Sequence, residues 1–131
     1  MRKTAREIAL KLIYEYAMTG GKNELTYKNL ISSSSDLTGG DIPYLDKVYN
    51  GVIDNYAALT DIIIQNTEGY RSERIYKVDL AILLLAVYEI KFCKGITDAI
   101  SINEAVELAK IYSTEKSYSF INGVLAKIVD S

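Results

Sequence analysis

The 131-residue chain contains no histidine and no tryptophan, one cysteine (Cys93) and one proline (Pro43). Without histidine there is no Ser-His-Asp triad, no Cys-His pair and no histidine-containing metal site. A single cysteine excludes zinc ribbons, CxxC redox chemistry and an internal disulfide framework. Long hydrophobic runs are also missing. The longest, Leu80 to Tyr88, has nine residues, against the ~20 needed to span a bilayer. It therefore reads as a buried core element, and a single-pass membrane anchor is excluded. The opening Met1-Arg2-Lys3-Thr4-Ala5-Arg6 lacks the apolar segment of a signal peptide. With one cysteine besides, the expected location is the cytoplasm. No Walker or GxGxxG motif is present, and period-2 alternation is absent, so Rossmann and P-loop enzymes are excluded.

What is present is enough for one domain over residues 1–131. Hydrophobic residues make up 49% and charged residues 24%, a composition that folds. The formal net charge is −2 and the isoelectric point about 5.2, which argues against a protein that coats nucleic acid non-specifically.

Helical periodicity recurs along the chain. The first helix is expected from about Thr4 to Met18, opened by a Thr4/Glu7 capping box and stopped by Gly20-Gly21. A short helix follows around Glu24 to Ile31. The patch Ser32 to Gly40 reads as a surface loop. Asp41-Ile42-Pro43 starts a further helical stretch through Leu59, either one long helix or two with a kink. Thr67 to Ser72 is a connection. Val78 to Phe92 is apolar on nearly every side, the mark of a central helix. Ser101 and Glu104 form a second capping box, opening a helix to about Tyr112. A last helix begins near Thr114 to Ser117 and buries Phe120, Ile121, Val124, Leu125 and Ile128. The expected fold is all-α, a compact bundle of about six to seven helices.

Few residues suggest chemistry. Glu104 and Glu107 lie three apart on one helix, but nothing completes a catalytic site around them. Cys93 reads as a small buried apolar residue. Tyrosine is abundant, eleven against two phenylalanines, and most sit on apolar stripes. Tyr14 lies off the stripe beside basic residues. Residues 1–11 carry Arg2, Lys3, Arg6 and Lys11 against Glu7, whereas residues 36–68 carry six acids against Lys47. Cations at a helix start oppose the macrodipole, and a partner bearing phosphates would explain them. Gly123, inside the last helix, disfavours helix formation. It implies close approach by another helix or by a ligand, with helix packing the simpler reading.

Three stretches resemble the NusB family of transcription antitermination factors. They are Thr4-Ala5-Arg6-Glu7-Ile8-Ala9-Leu10-Lys11-Leu12-Ile13-Tyr14, then Val78 to Ile90, and then Ile102-Asn103-Glu104-Ala105-Val106-Glu107-Leu108-Ala109-Lys110 followed by Phe120-Ile121-Asn122-Gly123-Val124-Leu125. The resemblance implies a non-enzymatic, cofactor-free RNA-binding protein. It would bind boxA-type RNA of ribosomal RNA transcripts together with a small ribosomal protein in the NusE role, within the RNA polymerase antitermination complex. It further implies RNA contacts at Arg2, Lys3, Arg6, Tyr14, Lys116 and Phe120, and a contact to the ribosomal partner at Asp79. A homodimer stays open as a further partner. The chain departs from the family at Leu84, where many relatives carry arginine, at Lys116, where an acid is common, and at Ser119, where a basic residue is common.

Single-stranded RNA would be held by a few cations and by aromatic faces that stack bases. The expected geometry is a single cradle in which Arg6 and Phe120 lie side by side. Two rivals stand beside this reading. One is a helical protein-interaction module without RNA affinity. The other is the NusB-like part of a ribosomal RNA methyltransferase, for which this length leaves no catalytic domain.

Overall fold

The computed structural model describes residues 2–68 and 74–130, and the expected connection at Thr67 to Ser72 lies outside the described residues beyond Glu68. The described residues form seven helices and no strand: α1 (Arg2–Thr19), α2 (Glu24–Ser32), α3 (Asp41–Asp54), α4 (Tyr56–Gln65), α5 (Lys77–Phe92), α6 (Asp98–Tyr112) and α7 (Ser117–Asp130). Among them no helix is long and apolar enough to cross a membrane.

α5 is the axis. Every residue from Asp79 to Glu89 is buried, and the helix packs against α1, α3, α4, α6 and α7. Leu84 is fully buried, so apolar packing fills this position where many relatives are expected to carry a charge. α6 runs antiparallel to α5. Its first turns place Ser101 on Glu89, and the residue after its end, Ser113, reaches Asp79.

The stretch from Asp41 is two helices, not one. At the break Asn55 turns its side chain back, and both its amide Nδ2 (2.8 Å) and its backbone N–H (3.1 Å) donate to the Gly51 carbonyl. Such local competition is why Asn favours helix ends. The carbonyl of Asn55 then accepts from Leu59 N–H (2.9 Å) to begin α4. α2 is capped by Asn23, whose side chain accepts from the N–H groups of Leu25 and Thr26.

Both expected capping boxes are absent. α1 begins at Arg2, two residues before Thr4, and Thr4 Oγ1 donates instead to Asp36 (2.8 Å). α6 begins at Asp98 with Thr97 as its cap, and Ser101 donates its hydroxyl to Glu89 (2.9 Å). Glu7 and Glu104 likewise serve tertiary partners, Tyr112 and Arg6. The hydroxyls and carboxylates that local spacing assigned to helix ends join elements instead.

Gly51 shows where backbone meets core. An ideal Cβ there would lie 2.2 Å from the Tyr88 ring, inside any permitted contact. Tyr88 is itself buried and stacks on Phe92 at 4.9 Å between centroids. The missing side chain lets α3 approach α5 over this ring. Gly51→Ala is expected to destabilise the fold by about 1–3 kcal/mol through overpacking, despite alanine's better helix propensity. Urea unfolding measures it, and an unchanged or raised midpoint would show that the ring moves aside freely.

Candidate nucleic-acid interface

The residues expected to contact RNA divide into two groups. Arg6 is the clearest correction. It is 6% exposed and lies inside the protein, not on its surface. Its guanidinium grips Glu89 with two bonds, Nε to Oε2 at 2.9 Å and Nη2 to Oε1 at 3.1 Å. A further nitrogen lies 3.5 Å from Glu104. Glu89, 1% exposed, also accepts from the hydroxyls of Tyr44 and Ser101. Burial opposes the Arg6 charge, but the hydrogen bond and field of Glu89 outweigh it and hold its pKa above the ordinary value. Burial, followed by the Glu89 charge, pushes the Tyr44 phenol far above its usual range. The cluster is a fully bonded ionic clasp joining α1, α3, α5 and α6. A guanidinium so engaged has no face for a phosphate.

Asp79 is corrected in the same way. It is 6% exposed, and its two oxygens accept from the hydroxyls of Ser113 and Ser117, the latter at 3.0 Å. Ser117 also bonds Ser113 and Thr114, each at 2.8 Å. Asp79 therefore fixes the turn between α6 and α7 onto the start of α5. It does not stand out toward a partner.

The other expected residues are at the surface. Lys3 and Lys116 are exposed, Tyr14 is 37% exposed, and Phe120 is half-buried. Arg2 is partly engaged, lying 4.2 Å from the Tyr44 ring centroid and 3.8 Å from Asp41.

Arg6 and Phe120 do not share one cradle. Arg6 is tied to α5 at Glu89, and the first turn of α7 is tied to α5 at Asp79. Ten residues of helix, about 15 Å, separate these anchors. The surface between them is a strip. On α1, Lys3, Glu7, Lys11, Tyr14 and Met18 follow one another at helical spacing along the outside. Glu7 accepts from the Tyr112 hydroxyl (3.0 Å), and Lys11 Nζ sits 5.8 Å from the Tyr112 ring centroid. This seats the end of α6 against α1. Across that end, Lys110 Nζ lies 5.5 Å from the ring centroid of Tyr118, which is 44% exposed. Lysine and tyrosine thus pair at two places, Lys11 with Tyr112 where α6 meets α1 and Lys110 with Tyr118 at the first turn of α7. Sequence reasoning missed Tyr112, Lys110 and Tyr118. Their one local signal was an aromatic two, or eight, residues after a lysine at a helix end.

Among the described residues no group of three or more His, Cys, Asp or Glu side chains is placed to hold a metal ion. The NusB family profile matches residues 3–130.

The chain belongs to the NusB family.

The transcription antitermination protein NusB of Listeria monocytogenes serotype 4b (strain CLIP80459) is 40% identical over 127 residues, covering 97% of this chain and 94% of its own length. That of Clostridium botulinum (strain Kyoto / Type A2) is 38% identical over 141 residues, covering 98% and 99%. Among solved structures, T. maritima NusB superposes with a TM-score of 0.87 at 26% identity, covering 100% of this chain and 92% of that one. A chain from the complex of antitermination factors NusB and NusE with dsRNA superposes with a TM-score of 0.87 at 25% identity, covering 98% and 96%. The NusB assignment and the all-α expectation therefore hold.

The clasp yields a direct test. Arg6→Ala strands Glu89 in the interior and is expected to cost about 3–5 kcal/mol of stability. A surface phosphate contact would change stability by no more than about 0.5 kcal/mol. Denaturant unfolding separates the two, and a near-zero change would return Arg6 to the surface.

Proposed function

We propose that this NusB-family chain binds boxA-type single-stranded RNA of ribosomal RNA transcripts jointly with a small ribosomal protein in the NusE role, and so helps RNA polymerase read through terminators. It does this in the cytoplasm and without catalysing a reaction. The observation that carries the reading is the surface strip of Lys3, Lys11, Tyr14, Tyr112, Lys110 and Tyr118. Cations hold phosphates, and tyrosine faces stack bases at about 1–3 kcal/mol each. The solved complex of related NusB with NusE and dsRNA supports both partners.

The roles divide by exposure. Lys3, Lys11 and Lys116 meet phosphates, and Tyr14 offers a base-stacking face. Arg6 and Asp79 act indirectly, one orienting α1 and the other the first turn of α7. Arg2 braces the start of α1 against Tyr44.

Charge sets the order of assembly. A chain of net charge −2 draws RNA weakly from a distance. A basic ribosomal partner supplies the missing field and adds its own phosphate contacts, so RNA binds the pair far more tightly than the isolated chain.

The test is a titration of a boxA-type RNA oligonucleotide into the chain with and without the ribosomal protein. Three to five phosphate contacts give a slope of log affinity against log salt of about −2 to −3.5. Lys3→Glu with Lys11→Glu is expected to weaken RNA binding at least tenfold while leaving the melting temperature nearly unchanged. Tyr14→Ala is expected to cost about 1–3 kcal/mol of binding. If the charge reversals left RNA affinity intact while the ribosomal protein still bound, the chain would be an interaction module without RNA affinity.

A further inference from the structure

Gly123 has no reason within the described structure to be glycine. It lies inside α7 with a φ that is not positive. An ideal Cβ there meets no described atom within 4 Å, in contrast to Gly51. Helix–helix packing, the simpler expectation from sequence, therefore does not account for it. Glycine is the poorest helix former after proline, so the missing side chain serves something that approaches from outside.

The surroundings name the visitor. Gly123 is exposed and floors a groove of about 540 Å³ between the end of α4 and α7. Asn66, Arg74, Ser119 and Lys127 line it, and Phe120 stands at its edge. Phe120, Gly123 and Lys127 recur at helical spacing on one face of α7, and Lys116 immediately precedes the helix, so two cations flank an aromatic ring and a bare stretch of backbone. The Lys127 ammonium pairs with Glu68 at 2.7 Å, but both side chains are largely exposed. Such a pair contributes little to stability and can exchange its carboxylate for a phosphate. Among the described lining residues Arg74 and Lys127 outnumber Glu68, which favours a polyanion over a basic protein.

We propose that the RNA does not end at the first turn of α7 but continues along this groove. Its sugar–phosphate chain rests on the Gly123 backbone, and Arg74 and Lys127 hold a phosphate beyond Phe120. This rests on the RNA-binding reading above and extends it by roughly one to two nucleotides and a second cationic contact.

The experiment titrates a boxA-type RNA oligonucleotide into the assembled pair of this chain and the small ribosomal protein. The variants are Gly123→Ala, Gly123→Leu and Lys127→Gln, with Lys11→Glu as the reference for the α1 strip. Thermal melting of each free chain is measured alongside. Gly123→Ala is expected to hold or raise the melting temperature, since alanine is the better helix former, yet to weaken RNA binding about threefold. Gly123→Leu is expected to weaken it at least tenfold. Lys127→Gln is expected to flatten the salt slope by about 0.7, one phosphate's share on a single strand. If these three bound RNA like the parent while Lys11→Glu lost at least tenfold, the groove proposal would be overturned and the α1 strip would stand. If Lys11→Glu were also silent, the RNA reading itself would fall. A melting temperature lowered by several degrees in Gly123→Ala would assign the glycine to packing and overturn the proposal. Loss of the ribosomal protein, without RNA present, from the Gly123 variants would identify a protein occupant and overturn it too.

Discussion

One carboxylate organises this molecule. Glu89 is buried near the end of the central helix, directly after its apolar run, where an unpaired charge could not persist. It accepts two bonds from Arg6, one from Tyr44 and one from Ser101. The three partners come from α1, α3 and α6, so a single group locks three helices onto the fourth. Its geometry also fixes the rotation of α1. With Arg6 turned inward, the stripe of Lys3, Lys11 and Tyr14 lies about a quarter-turn away around the helix and faces out. The buried clasp thus decides which side of α1 faces out.

A second clasp acts at the opposite end of α5. Asp79 holds Ser113 and Ser117, and through them sets the angle at which α7 leaves its turn. Between the two clasps, Tyr112 joins α1 to the end of α6 through Glu7 and Lys11. The outer strip is therefore built on rigid elements and spaced by buried polar bonds. This arrangement suits a flexible RNA, which loses less on binding when its contacts are already in place. The clasps also answer the unfavourable cations at the start of α1. Arg6 and Arg2 oppose the helix macrodipole, and Glu89 and Asp41 offset them.

The bundle was legible in the sequence because its signals are periodic and local. The apolar run around Leu83 marked the central helix, and Asp41-Ile42-Pro43 marked the start of α3. The break at Asn55 was not legible, because Asn and Gly51 carry no sign of whether the side chain will turn back on the helix. The two capping boxes misled for the opposite reason. Thr4, Glu7, Ser101 and Glu104 have the right spacing, but each finds a stronger tertiary partner. Arg6 was read as a surface cation among its neighbours on α1, since the residue that claims it is eighty-three positions away. One clue was in plain view: Glu89, a charge within the most apolar stretch, required a buried counterion. The aromatic part of the site was half legible. Tyr14 stood out as off the stripe, whereas Tyr112 and Tyr118 acquire their lysine neighbours only when α6 and α7 fold against α1 and each other.

The acidic side of the molecule gives the account its sharpest contrast. Residues 36–68 carry six acids and one lysine, of which Asp41 is buried and Glu68 pairs with Lys127. The proposed function divides recognition between cations and tyrosines for the nucleic acid and the exposed acids of this stretch for a basic protein. Ultraviolet cross-linking of a boxA-type RNA to the assembled pair, with the linked residues mapped by mass spectrometry, tests this division most directly. The account requires links at Tyr14, Tyr112, Tyr118 or Phe120. Links confined to Tyr27 and Tyr56, which lie outside the strip, would contradict it.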